Sequence, residues 1–133
     1  MLRAVVDTHT VIWYIFADAR LSKTARDTIS QIASDNDQVA FSSITLAEII
    51  YLSEKRRISP LTLDRLLTSV DTTNAVLTEV PFDRHIAQAL HLVERTQVPD
   101  LPDRIIAATA LHLGVPVISR DNKIKLSSVS SIW

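Results

Sequence analysis

The sequence predicts an α/β fold with a mainly parallel central sheet. Two observations carry that reading. Short apolar runs rich in β-branched residues alternate with longer segments whose apolar residues recur at helical spacing. No linker-like, repetitive or low-complexity stretch divides the 133 residues, a length that suits one domain spanning 1–133.

The elements follow in order. Leu2 to Val6 is apolar, ends at Asp7 and reads as a buried strand. Thr10 to Phe16 is apolar and reads as a helix. Ser22 suits the N-cap of a helix with Ala25, Ile29 and Ile32 on one face. Gln38 to Ser42 reads as the second strand, and Thr45 to Arg57 as a helix ending in a basic run. Leu63, Leu66, Leu67 and Val70 form the apolar stripe of another helix. Val76 to Val80 is the third strand, closed by Pro81. Asp83 caps a helix whose inner face is Ile86, Leu90 and Val93. Pro99 and Pro102 bracket a turn, and Pro102 suits the first position of the next helix. That helix runs to Gly114, a C-terminal stop. Val115 to Ser119 is the fourth strand and Ser128 to Trp133 the fifth.

Composition removes several function classes. There is no cysteine, so disulfides and thiolate metal sites are excluded. A single glycine leaves no glycine-rich phosphate loop, which argues against P-loop or Rossmann nucleotide binding. The net charge of −1 is no global footprint of nucleic-acid binding, so any such function must rest on local charge. Lys55–Arg57 and the group Arg120, Lys123 and Lys125 read first as solvated helix ends. The apolar run Val11 to Ala17 is too short to span a bilayer, and the N-terminus lacks a signal-peptide layout. A cytoplasmic protein with no membrane partner is expected.

Four acids stand in unexpected places. Asp7 follows the first strand directly, and Asp121 follows the fourth after Arg120. Ligands of open α/β sheets bind beyond the carboxyl ends of strands, so these two share a crevice in this reading. Glu48 has Ile44 and Leu52 as its helical neighbours four residues either side. A carboxylate on that face is costly unless compensated. Thr45-Leu46-Ala47-Glu48 also fits a capping box, so a cap and a site role compete for Glu48. Asp103 lies just inside a helix start, where an acid meets the dipole favourably. Ala107, Ala110 and Gly114 follow on its side of the helix and permit close packing on the sheet, which turns Asp103 inward. Four converging acids repel one another and need a counter-charge. Hard oxygen ligands select Mg²⁺ or Mn²⁺, a chemistry suited to phosphodiester cleavage. His85, His91 and His112 read as surface or packing residues, and His9 as a turn residue that could touch the site. Trp13 and Tyr51 read as core or interface residues.

Taken together, Asp7-Thr8-His9, Ser43-Ile44-Thr45-Leu46-Ala47-Glu48-Ile49, Pro102-Asp103-Arg104-Ile105-Ile106-Ala107-Ala108-Thr109-Ala110 and Ser119-Arg120-Asp121 resemble the PIN-domain ribonucleases. More narrowly they resemble the VapC-type toxins of toxin–antitoxin pairs. The resemblance implies a three-layer α/β/α sandwich and Mg²⁺- or Mn²⁺-dependent RNA cleavage. It also implies a homodimer and an inhibitory antitoxin. By motif, Asp7, Glu48 and Asp103 match the core acids, Asp121 the more variable fourth acid, and Ser119 a supporting hydroxyl. The rival is a non-catalytic PIN-like module that binds RNA or protein, which would usually have lost one or more acids. Haloacid-dehalogenase chemistry wants an Asp two residues after Asp7, where His9 stands, and a receiver domain wants an adjacent acidic pair. Val11 to Phe16 are six consecutive apolar residues in one helix. A helix apolar all round must be buried on every side, so a partner or dimer mate is expected to cover part of it.

Overall fold

A computed structural model describes residues 1–133. Five strands form one all-parallel sheet: β1 (Leu2–Val6), β2 (Gln38–Ser42), β3 (Leu77–Val80), β4 (Val117–Ile118) and β5 (Ser131–Ile132). Their spatial order is β3-β2-β1-β4-β5. The chain steps outward from β1 on one side, then returns to lay β4 against β1's other edge. The β1/β4 boundary is therefore the switch point, where a crevice opens beyond the strand ends.

Seven α-helices cover the sheet: α1 (Thr8–Ile15), α2 (Lys23–Ser34), α3 (Ile44–Glu54), α4 (Thr62–Asp71), α5 (Arg84–Ala89), α6 (Leu101–Leu113) and α7 (Asn122–Lys125). The alternation of strand side chains divides the core. Ala4 and Val6 face one way, with Ile29, Phe41 and Leu66, whereas Val5 faces the other way, with Ile106, Ala107 and Val117. Both faces are buried, so the strands read as continuous apolar runs. Each fully buried Ile or Phe contributes roughly 1.5–3 kcal/mol of transfer free energy. The expected α/β/α sandwich is what the chain adopts.

Several boundaries differ from the sequence reading. Helix α3 starts at Ile44 and stops at Glu54, so Arg56 lies past it, in a left-handed conformation with φ 57°. The helix after Asp83 breaks at Ala89 into one 3₁₀ turn, Leu90–Leu92, although Ile86 and Val93 are buried as expected. Leu67 is 37% exposed while Leu66 is fully buried, which narrows the stripe of α4. Pro102 takes the second position of α6, because Asp100 rather than Leu101 is the N-cap. Gly114 ends α6 at φ 70°, as a left-handed C-terminal stop requires.

Helix α1 needs no partner to cover most of it. Val11, Ile12 and Trp13 are buried within the chain, and Tyr14, Ile15 and Phe16 are half-buried against the same core cluster. Helix α4 and the C-terminal Trp133 provide cover that periodicity did not reveal.

Candidate active site

Asp7 caps α1. Its Oδ1 accepts the Thr10 N–H at 2.9 Å, and its Oδ2 accepts the hydroxyl proton of Ser119. The Ser119 Oγ in turn accepts the Asp121 N–H at 2.9 Å. One hydroxyl thus ties the carboxyl end of β1 to the turn after β4. Asp121 caps α7 by accepting the Lys123 N–H at 2.8 Å.

Glu48 projects from α3 onto Thr8, whose hydroxyl donates to Oε1. Thr8 and Thr45 hydroxyls lie 3.0 Å apart. The capping-box alternative is therefore wrong: Ser43 is the N-cap residue, it makes no side-chain cap, and Thr45 lies inside the helix. The threonine that pairs with Glu48 comes from α1, 40 residues away in sequence. Burial pushes the Glu48 carboxyl above its usual range, with the Thr8 hydrogen bond opposing.

Asp103 occupies the first turn of α6 and points toward the same place. Burial is the main cause of its raised pKa; Asp100 and Asp121 raise it further, to about 7. Asp100 is the N-cap of α6 and accepts the Asp103 N–H at 3.1 Å. The small-residue side of α6 does pack inward, with Ala107 and Ala110 fully buried.

These residues line one cavity of about 520 Å³ at the switch point: Asp7, Glu48, Asp103 and Asp121 are all brought there. Asp100, Arg20 and Thr10 line it too, and sequence reasoning missed all three. For Asp100 a signal existed, since the cap of the helix carrying Asp103 must sit beside it. For Arg20 there was none. Its approach depends on Ala17, left-handed at φ 50°, where a glycine would be the usual residue. That turn lets the Asp18 N–H donate to the Trp13 carbonyl at 2.8 Å, folding the following chain back toward α1. His9 is in the first turn of α1 rather than in a loop, and it lines the cavity. His85, His91 and His112 are exposed and outside the lining, and Tyr51 is 55% exposed rather than core.

The donor set suits a hard divalent cation. Five carboxylates line the cavity and none forms an ion pair. The Thr10 hydroxyl is buried in the same wall without a hydrogen-bond partner. No three acids stand close enough to make a ready coordination cage. Mg²⁺ needs none, because it keeps several waters and is held by one or two carboxylates.

An all-parallel sheet with an acid-lined cavity at its switch point defines a small α/β protein whose site is dominated by carboxylates. The chain belongs to the PIN domain family, whose model matches residues 4–129. Its fold resembles VapBC2 from Rickettsia felis bound to a promoter DNA fragment, with TM-score 0.71 and 18% identity over 98% of this chain and 97% of that one. It also resembles DNA-bound VapBC from Salmonella typhimurium, with TM-score 0.67 and 23% identity over 98% and 97%. FitAcB from Neisseria gonorrhoeae gives TM-score 0.60 and 20% identity over 96% and 95%. No curated protein matches the sequence. No helix is long and apolar enough to cross a membrane.

Proposed function

We propose that the chain, acting as one nuclease domain over residues 1–133, is a Mg²⁺- or Mn²⁺-dependent endoribonuclease of the VapC type. In this reading it is a cytoplasmic toxin, homodimeric and held in check by a cognate antitoxin. The single observation that carries the reading is the convergence of Asp7, Glu48, Asp103 and Asp121 on one cavity without a cation paired to any of them. The likeness to VapBC and FitAcB supports the toxin part.

Asp7, Glu48, Asp103 and Asp121 are the residues that would hold a metal. A metal held there would supply an activated water and polarise the phosphodiester. The chain's own groups do the rest. Ser119 fixes the Asp7 carboxylate by its hydroxyl proton, and Thr8 fixes that of Glu48. A cation held there would offset the burial and the charges of Asp100 and Asp121 that raise the Asp103 carboxyl, and so would favour its ionised form.

The test is cleavage of a defined RNA by the purified chain. Mg²⁺ is expected to support cleavage, EDTA to abolish it and Mn²⁺ to restore it. Co-expression with the product of the neighbouring gene is expected to suppress the activity and yield a complex. Undiminished cleavage after chelation overturns the metal mechanism. Cleavage without any inhibitory neighbour overturns the toxin reading alone.

A further inference from the structure

Five carboxylates line the cavity, yet in the proposed reaction a polyanion must enter it. The same lining holds Arg20 and Arg120. Both guanidinium groups rest on one indole, each Cζ lying 5.3 Å from the Trp13 ring centroid. Trp13 is only 7% exposed, and its ring packs on His9 and Trp133 at centroid distances of 5.8 and 5.9 Å. A buried ring gives two flexible cations a fixed shelf and lowers the ordering cost of using them.

The two arginines are not equivalent. Arg20 donates from Nε and Nη2 to Asp18 at 3.0 and 2.7 Å, which aims its fork and leaves Nη1 without a partner. Arg120 makes no ion pair at all, although Asp121 follows it in sequence and five acids share its cavity. An arginine shelved on a ring among carboxylates, yet paired with none, stands ready for an anion from outside.

We infer that Arg120, seconded by Arg20, is a phosphate clamp for the sugar–phosphate backbone of a single nucleic-acid strand beside the bond to be cut. The inference rests on the nuclease reading. Both arginines are positioning residues. They grip phosphate oxygens through planar donor forks and read no base. Trp13 is the shelf and not a stacking platform, because its ring is buried.

The experiment has two arms. Anisotropy of a labelled single-stranded RNA, over a salt series, is measured on an Asp7→Asn background that does not cleave. Steady-state cleavage is measured on the native background. A single-strand phosphate contact adds about 0.7 to the slope of log affinity against log salt. Arg120→Ala is expected to lower that slope by about 0.7 and to raise KM with kcat little changed. Arg20→Ala shifts both the same way by less, since Asp18 already takes part of its charge. Arg120→Lys restores the slope but only part of the affinity, because the fork is lost. A DNA strand of the same sequence shows the same loss of slope on Arg120→Ala.

Three results overturn the clamp while leaving the nuclease intact: an unchanged slope and KM in Arg120→Ala, a fall in kcat alone, or a loss of slope confined to RNA. If the native chain neither binds nor cleaves RNA with Mg²⁺ present, the nuclease reading fails and the clamp with it.

Discussion

Two corners of the cavity solve one problem, a carboxylate withdrawn from water, in opposite ways. At the end of β1, Asp7 is 8% exposed and both of its oxygens accept protons, from the Thr10 N–H and the Ser119 hydroxyl. At the start of α6, Asp103 faces Asp100 and Asp121, and its carboxyl is pushed up to about 7, by burial first and by those neighbours second. Hydrogen bonds hold the first acid in place whether or not a cation is present. A bound proton or a counter-charge relieves the second. The difference teaches that the site is half preorganised and half charge-dependent, and a metal bound as proposed would act chiefly on the α6 side.

The largest effect should come from breaking the preorganised corner. Asp7→Ala removes a helix cap worth about 1 kcal/mol and strands the buried Ser119 hydroxyl, at a further cost of about 1 kcal/mol or more. We expect denaturant melts to show a loss of about 2 kcal/mol, together with loss of cleavage. Asp7→Asn keeps the cap, so it should lose cleavage and keep most stability. An Asp7→Ala variant as stable as the native chain would show that the hydrogen bonds do not anchor this corner.

The charge-dependent corner should respond with the opposite sign. Asp103 has a folded pKa of about 7 against an ordinary value of 3.8. The folded state holds that proton more tightly, so its stabilising contribution is complete below about 4 and is lost as pH rises through about 7. Glu48, also raised by burial, acts in the same direction. Thermal melts in EDTA should therefore show Tm falling between those pH values. Asp103→Asn should flatten the fall and melt higher than the native chain at pH 8, even though cleavage is lost. A native Tm independent of pH over that range would remove the contrast between the corners.

How much of this was legible in the sequence depends on how local each cause is. Strands β1 and β2 were readable to the residue, because strands buried on both faces are continuous apolar runs. The caps Ser22 and Asp83 were readable because a cap is a contact within three residues. Strands β4 and β5 are only two residues each, and the expected ranges were too long, since apolar flanks do not show where pairing stops. The four acids could be named from strand ends and helix faces. Their environments could not. The Thr8 partner of Glu48 comes from another helix, and the raised pKa of Asp103 depends on tertiary burial first and then on Asp100 and Asp121, which come from a cap and from the turn after β4. Arg20 was hidden because an alanine does the turning that usually announces itself with glycine.

A smaller effect is expected from Ser119→Ala, which would act on a bound metal only indirectly, through Asp7 and the backbone of Asp121. Partners at that remove typically change metal affinity or activity by 10–100-fold. Calorimetric titration with Mn²⁺ should find weaker binding within that span. An unchanged affinity would mean that the Thr10 N–H alone positions Asp7.

The smallest effect should come from Asp121→Asn, because this residue belongs to both corners. Its Oδ1 caps α7 through the Lys123 N–H, and its own N–H is held by Ser119. Asparagine preserves the cap and leaves the backbone contact untouched, so Tm in EDTA should hold or rise slightly as one of the charges facing Asp103 is removed. Burial and the remaining charge of Asp100 keep Asp103 above its ordinary value, so the pH dependence should shrink without vanishing. Cleavage should fall by less than in Asp7→Asn, since Asp7, Glu48 and Asp103 still face the cavity. Parallel turnover measurements on the two variants decide the point. Equal losses would make Asp121 as direct a participant as Asp7 and would move the metal toward the turn after β4.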